Sequence, residues 1–176
     1  MGRPPRTAAP HRPRGLGRGT PLTPPTTTAQ TRRSTVSLTA TGNFRGETWE
    51  ETPYDEAEGA RLTRTSLTKK FWGELDGAST GEMLMAKGQV ETSAAYVGFE
   101  RFTGRVHDRT GTFVLRHSAR ATAAGREAQI DILPDSGTGE LRGIRGTGRV
   151  LDAADGSHPF VLTYDFAGPA PDGSDG

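Results

Sequence analysis

Between residues 112 and 119, TFVLRHSA, apolar and polar side chains alternate. Phe113, Leu115, His117 and Ala119 fall on one side, and Thr112, Val114, Arg116 and Ser118 on the other. A period of two belongs to an extended strand with one buried face. Ala128, Ile130 and Ile132 alternate in the same way with Glu127, Gln129 and Asp131, and Phe160, Leu162, Tyr164 and Phe166 with Val161, Thr163 and Asp165. Leu67, Phe71 and Leu75 also share a side, diluted by Thr65 and Lys69. Helical spacing is almost absent from residue 41 onward, which leaves room for at most a turn or two around Asp55 to Ala60.

The pattern predicts eight strands, at 41–50, 61–76, 79–88, 92–106, 110–120, 125–133, 139–151 and 158–166. The turn-rich stretches LDGAS, HDRT, AAGR, PDSG and DAADGS connect them. Short connections and one polar face per strand make the expected fold all-β. An eight-stranded antiparallel up-and-down β-barrel buries the other face most simply, because closure leaves no open edge. A two-sheet sandwich is the alternative.

Composition divides the chain. Residues 1–38 hold seven of the 12 prolines and seven arginines, with no Asp, Glu or Lys; the remaining 15 basic and all 21 acidic side chains lie in 39–176. The net charge of +1 is thus a cancellation between a basic tail and an acidic body. A segment so poor in large apolar residues cannot offset its ordering entropy, so 1–38 is expected to be disordered. Its bias also reads as translated upstream DNA, with Val36 as an alternative start. The expected organisation is this tail, a barrel domain over 39–168 and a flexible end at 169–176.

Several chemistries drop out. The chain has no cysteine, which removes disulfides, thiolate nucleophiles and Cys-ligated metal. Its four histidines, His11, His107, His117 and His158, show no metal-ligand spacing, so neither metal nor cofactor is expected. No apolar run approaches the roughly 20 residues that span a bilayer, so the expectation is a cytoplasmic protein with no membrane partner. An acidic body without a basic, aromatic-interleaved stripe predicts no nucleic-acid partner. DSGTGELRGIRGTGRV, residues 135–150, is rich in glycine but lacks the lysine of a phosphate loop. It reads as a barrel corner in which Gly146 and Gly148 make room for the aromatics of the next strand. WEETPYDEAEG, residues 49–59, reads as a solvated crossover or as a loop at a barrel mouth.

One interior polar pair stands out. A turn centred between Asp108 and Arg109 sets Gly104 opposite Phe113, Phe102 opposite Leu115 and Glu100 opposite His117. The alternation that buries Phe113 and Leu115 then buries a carboxylate beside an imidazole, which is costly unless each satisfies the other. The pair reads either as acid–base machinery, with Tyr96 and Tyr164 as nearby hydroxyl donors, or as a structural pair that fixes strand register.

WEETPYDEAEGARLTRTSLTKKFWGEL, YVGFERFTGRV, GTFVLRHS and PDSGTGELRGIRGTG, in that order, resemble a bacterial family known as domain of unknown function 3224. The resemblance spans about Gly42 to Phe166. It implies a barrel of the allene oxide cyclase type, lipocalin-like, closed around an apolar interior. The family usually has a tryptophan where this chain has Ile130 and a glycine where it has Asp135, and the smaller Ile130 implies a roomier cavity. No catalytic motif comes with the resemblance.

The leading functional expectation is a cavity for a small hydrophobic molecule, with Tyr96, Phe102, Phe113, Leu115, Ile130, Phe160, Leu162 and Tyr164 lining or filling it. The alternatives are an isomerase or cyclase using Glu100 and His117, and a barrel with a packed interior that acts through its surface or as a homo-oligomer.

Overall fold

The computed structural model describes residues 36–151 and 159–167. The readings of the tail 1–35, of the DAADGS turn, of His11 and His158, and of the C-terminal end therefore lie outside the described residues. Eight strands form in chain order: β1 (Leu38–Asp55), β2 (Ala60–Gly73), β3 (Leu75–Gly88), β4 (Ala94–Val106), β5 (Arg109–Thr122), β6 (Gly125–Ile132), β7 (Ile144–Val150) and β8 (Pro159–Phe166). Each pairs antiparallel with the next, and β8 returns to β1, closing the barrel. A sandwich is excluded.

Three local expectations are corrected. LDGAS is not a connection: β3 already begins at Leu75, and the reversal falls at Gly73 and Glu74, where the Glu74 carboxylate accepts the Thr41 N–H at 2.7 Å. No helical turn forms near Asp55, because β1 continues as strand through WEETPY. Its alternation is hidden by a bulge between Gly46 and Thr48, which shifts the register so that Phe44 and Trp49, five residues apart, fall on the same face, with Trp49 exposed at the mouth. The strand expected over 139–151 splits into a 3-10 turn, Gly139–Leu141, and the shorter β7.

The β4–β5 hairpin turns one residue earlier than expected. Val106 pairs with Arg109, leaving His107 and Asp108 as a two-residue turn, with His107 at φ 52°. Glu100 therefore sits opposite Leu115 and His117 opposite Gly98, a shift of two residues from the predicted pairing. An even shift keeps every side chain on its face. Glu100 and His117 remain inside as diagonal neighbours.

The inward faces fill one end of the barrel. Phe71 meets Phe102 and Phe160 edge-on at 5.5 and 6.0 Å between centroids, and Phe102 stacks on Phe113 at 5.1 Å. Leu75, Val106, Leu141 and Ile144 close the floor below them. Gly148 is part of this packing, since a Cβ there would lie 2.5 Å from Phe160 Cζ and 3.0 Å from Ile130 Cγ2. The expectation that this glycine makes room for an aromatic holds.

The PDSGTGEL segment has a distinct task. β6 pairs with β5 only from Leu115 to Thr122, so the start of β5 lacks a strand on that side. Side-chain oxygens replace it: Val114, Thr112 and Thr110 donate their N–H groups to Ser136 Oγ (3.0 Å), Thr138 Oγ1 (3.1 Å) and Glu140 Oε2 (2.8 Å). Backbone donors that would otherwise be orphaned are thereby satisfied. Asp135 takes the left-handed backbone at φ 60°.

Candidate functional site

The other end of the barrel is not filled. Phe44 and Trp49 of β1, Leu67 and Lys69 of β2, Met83 and Met85 of β3, Tyr96 of β4, His117 of β5, Arg126 and Ile130 of β6 and Val150 of β7 surround a cavity of about 330 Å³. One row of the ladder, Thr65, Met83, Gly98, His117, Ile130 and Gly148, crosses this end, and its two glycines and threonine leave space between the larger side chains. Gly98 has a specific reason to be glycine, since a Cβ there would collide with the Glu82 carbonyl oxygen and the Met83 backbone on the neighbouring strand.

Beneath the cavity lies a buried polar cluster. Glu100 is 1% exposed and accepts hydrogen bonds from Lys69 Nζ at 2.7 Å on Oε2 and from Ser79 Oγ at 2.5 Å on Oε1. His117 Nε2 lies 3.1 Å from Glu100 Oε2. That contact is close enough for strong electrostatic attraction but off the line of a good hydrogen bond. Nε2 is the single buried side-chain polar atom among the described residues without a hydrogen-bond partner. Lys69 is mostly enclosed, its ammonium 4.8 Å from the centroid of the Phe44 ring.

Burial alone would push the Glu100 carboxyl up. The contact with His117, the charge and hydrogen bond of Lys69 and the hydroxyl of Ser79 together outweigh it and hold the pKa down at about 2. Glu100 is therefore an ionised carboxylate at neutral pH, neutralised on the spot by Lys69. A base with so low a proton affinity is poorly matched to abstracting a proton near pH 7.

The predicted site residues divide between the two ends. Tyr96, His117 and Ile130 line the cavity, and Glu100 sits under it. Phe102, Phe113, Leu115, Phe160, Leu162 and Tyr164 are buried in the packed core and do not line that cavity. Tyr164 is 2.8 Å from His107 Nδ1 through its hydroxyl, and burial raises the pKa of its phenol. Sequence reasoning missed Lys69 and Ser79 as the partners of Glu100. The available signal was Lys69 itself, a lysine between Leu67 and Phe71 on the inward face of β2. It also missed Met83 and Met85, because Leu84 between them blurs the alternation.

Among the described residues, no group of three His, Cys, Asp or Glu side chains is placed to hold a metal ion, and no helix is long and apolar enough to cross a membrane. A family profile described as protein of unknown function (DUF3224) matches residues 40–164. A crystal structure of a protein with unknown function from the DUF3224 family of Shewanella oneidensis is similar at 34% identity, with a TM-score of 0.66, covering 76% of this chain and 100% of that one. No curated protein matches.

Proposed function

The chain belongs to the DUF3224 family, and from its half-filled barrel we propose that it binds a small, largely apolar molecule carrying one polar group. The single observation behind this reading is the cavity of about 330 Å³, walled by Leu67, Met83, Met85, Tyr96 and Ile130 and floored by a buried charged cluster. Its volume falls at the lower end of small-molecule sites, whose apolar walls and few fixed polar groups it shares. The apolar body of the ligand lies against the methionines, which adapt to irregular shapes. Its polar group meets His117, whose buried Nε2 is incompletely satisfied by Glu100.

Native mass spectrometry of protein purified from its own host, together with titration of the neutral apolar fluorophore 1-aminoanthracene, tests this reading. Retained ligand mass, or saturable enhancement of 1-aminoanthracene fluorescence, is expected. Empty protein that also fails to bind the fluorophore overturns it.

A second reading, an isomerase or cyclase, is favoured by the adjacency of His117 to Glu100 at the cavity floor. In it the roles differ from a simple carboxylate base. Glu100, held ionised by Lys69, orients the imidazole, and His117 moves the proton. Glu100→Gln then lowers turnover in the protein that remains folded, where the apolar probe still binds; unchanged turnover per folded molecule would indicate a structural pair instead.

A further inference from the structure

The outer wall carries an apolar patch that neither the cavity nor the core accounts for. Leu84, Val97 and Phe99 are 46%, 55% and 53% exposed, and they are neighbours on adjacent strands. Ladder register places them in a grid. One row reads Arg64, Leu84, Val97, Ser118, and the next Ser66, Glu82, Phe99, Arg116. Together these side chains border a groove of about 590 Å³.

Two charges flank the patch on one side. Arg64 and Glu82 belong to successive rows on β2 and β3, and no ion pair among the described residues takes up either; Glu82 accepts only the Ser66 hydroxyl, at 2.6 Å. Arg116, on the far side, is already bound to Asp131 at 2.7 Å. Arg64 and Glu82 thus place one positive and one negative charge on the same flank, and Glu50 and Arg101, at the border of the same grid, likewise belong to no ion pair among the described residues.

We infer that this face, centred on Leu84, Val97 and Phe99, is where a second copy of the chain docks in a two-fold dimer. With strands about 4.8 Å apart and same-face residues about 6.7 Å apart, a two-fold axis lying in the interface and crossing the row obliquely between Leu84 and Val97 brings each of these close to its own counterpart. The same operation brings Arg64 of one copy over Glu82 of the other, twice, and lays Phe99 beside the partner's Leu84 and Ala86. An apolar centre with complementary charges at its rim is the arrangement a self-association surface requires. A neutral apolar ligand or a uniformly charged partner would use only half of it.

Sedimentation velocity of the full chain from about 1 to about 200 μM tests the inference, in the range where small interfaces dissociate. A reversible monomer–dimer equilibrium is expected. Phe99→Glu, an outer-wall change that leaves the core intact, raises the dimer dissociation constant by at least about a hundredfold, since it alters both halves of a symmetric centre. Arg64→Glu and Glu82→Arg each weaken the dimer, and the double swap restores it. A chain that stays monomeric throughout overturns the proposal, including one that instead binds a vesicle or a foreign protein through this face. So does a dimer unaffected by Phe99→Glu, or a double swap no better than its parents.

Discussion

Strands β4 and β5 run the length of the barrel, and their inward positions change character halfway. Towards the His107–Asp108 turn they carry Phe102, Val106, Phe113 and Leu115, all buried. Towards the other end they carry Tyr96, Gly98, His117 and Ala119, and a cavity opens. Backbone and pairing are the same at both ends. What differs is what reaches into the lumen: at one end Phe71, Phe102, Phe113 and Phe160 come in from four strands and pack ring against ring, while at the other the inward Gly98 and Ala119 leave it open. The Lys69–Glu100–Ser79–His117 cluster sits at the boundary.

The sharpest way to break this contrast is to remove volume at each end in turn. Phe113→Ala deletes a fully buried ring stacked on Phe102 and is expected to destabilise the fold by about 3–5 kcal/mol. Met85→Ala, on a cavity wall that is already partly empty, is expected to cost no more than about 1 kcal/mol. Urea unfolding of the two variants side by side checks both values. Equal losses would mean that the open end is packed as tightly as the other.

The boundary cluster has a pH signature. Glu100 has its carboxyl lowered from an ordinary 4.5 to about 2 in the folded chain. A depressed carboxylate adds stability that is fully present above the unfolded value and is lost as pH falls through the folded one. The window is therefore from about pH 4.5 down to about pH 2, and the contribution lost across it is on the order of 3 kcal/mol. Glu100→Gln flattens that part of the stability profile. It also leaves the Lys69 ammonium without its counter-charge, so the variant is weaker than the parent at pH 7.

The cluster also marks how far the sequence could be read. Eight strands, their closure and the inward faces of β5, β6 and β8 were legible because half-buried strands announce themselves by alternation. The second half of β1 was not, since the bulge after Gly46 breaks that alternation where the strand turns polar. Glu100 and His117 were identified from parity, which survives a register error of two. Lys69 and Ser79 were not, because their contact with Glu100 depends on which strands neighbour β4 and at what stagger. Side chains filling the lumen could not be told from side chains lining it, because period two shows which way a residue points and nothing about how much space lies in front of it.

A smaller effect is expected where the packed end meets its neighbour. Gly148→Ala puts a methyl group against the Phe160 ring and Ile130. The ring must turn from its contact with Phe71 to admit it, at a cost of about 1–3 kcal/mol by thermal or urea unfolding. The paired change Gly148→Ala with Phe160→Leu recovers part of the loss if the collision is the cause. No recovery would place the cost in the β7 backbone instead.

The least costly change tests the contrast most directly. Ile130 lies on the cavity wall. Ile130→Trp adds an indole to a space of about 330 Å³ without needing new backbone. Because the ring enters space that is already open, the overpacking cost that accompanies enlargement in a solid core does not apply, and stability is expected to change by less than about 1 kcal/mol. Binding of 1-aminoanthracene, by contrast, should be lost or weakened at least tenfold, since the indole occupies the volume the probe requires. The same enlargement in the other half, Leu162→Trp, should unfold the protein. If Ile130→Trp is as damaging as Leu162→Trp, the two ends are one continuous core; if it is silent in stability and in probe binding alike, the probe sits elsewhere.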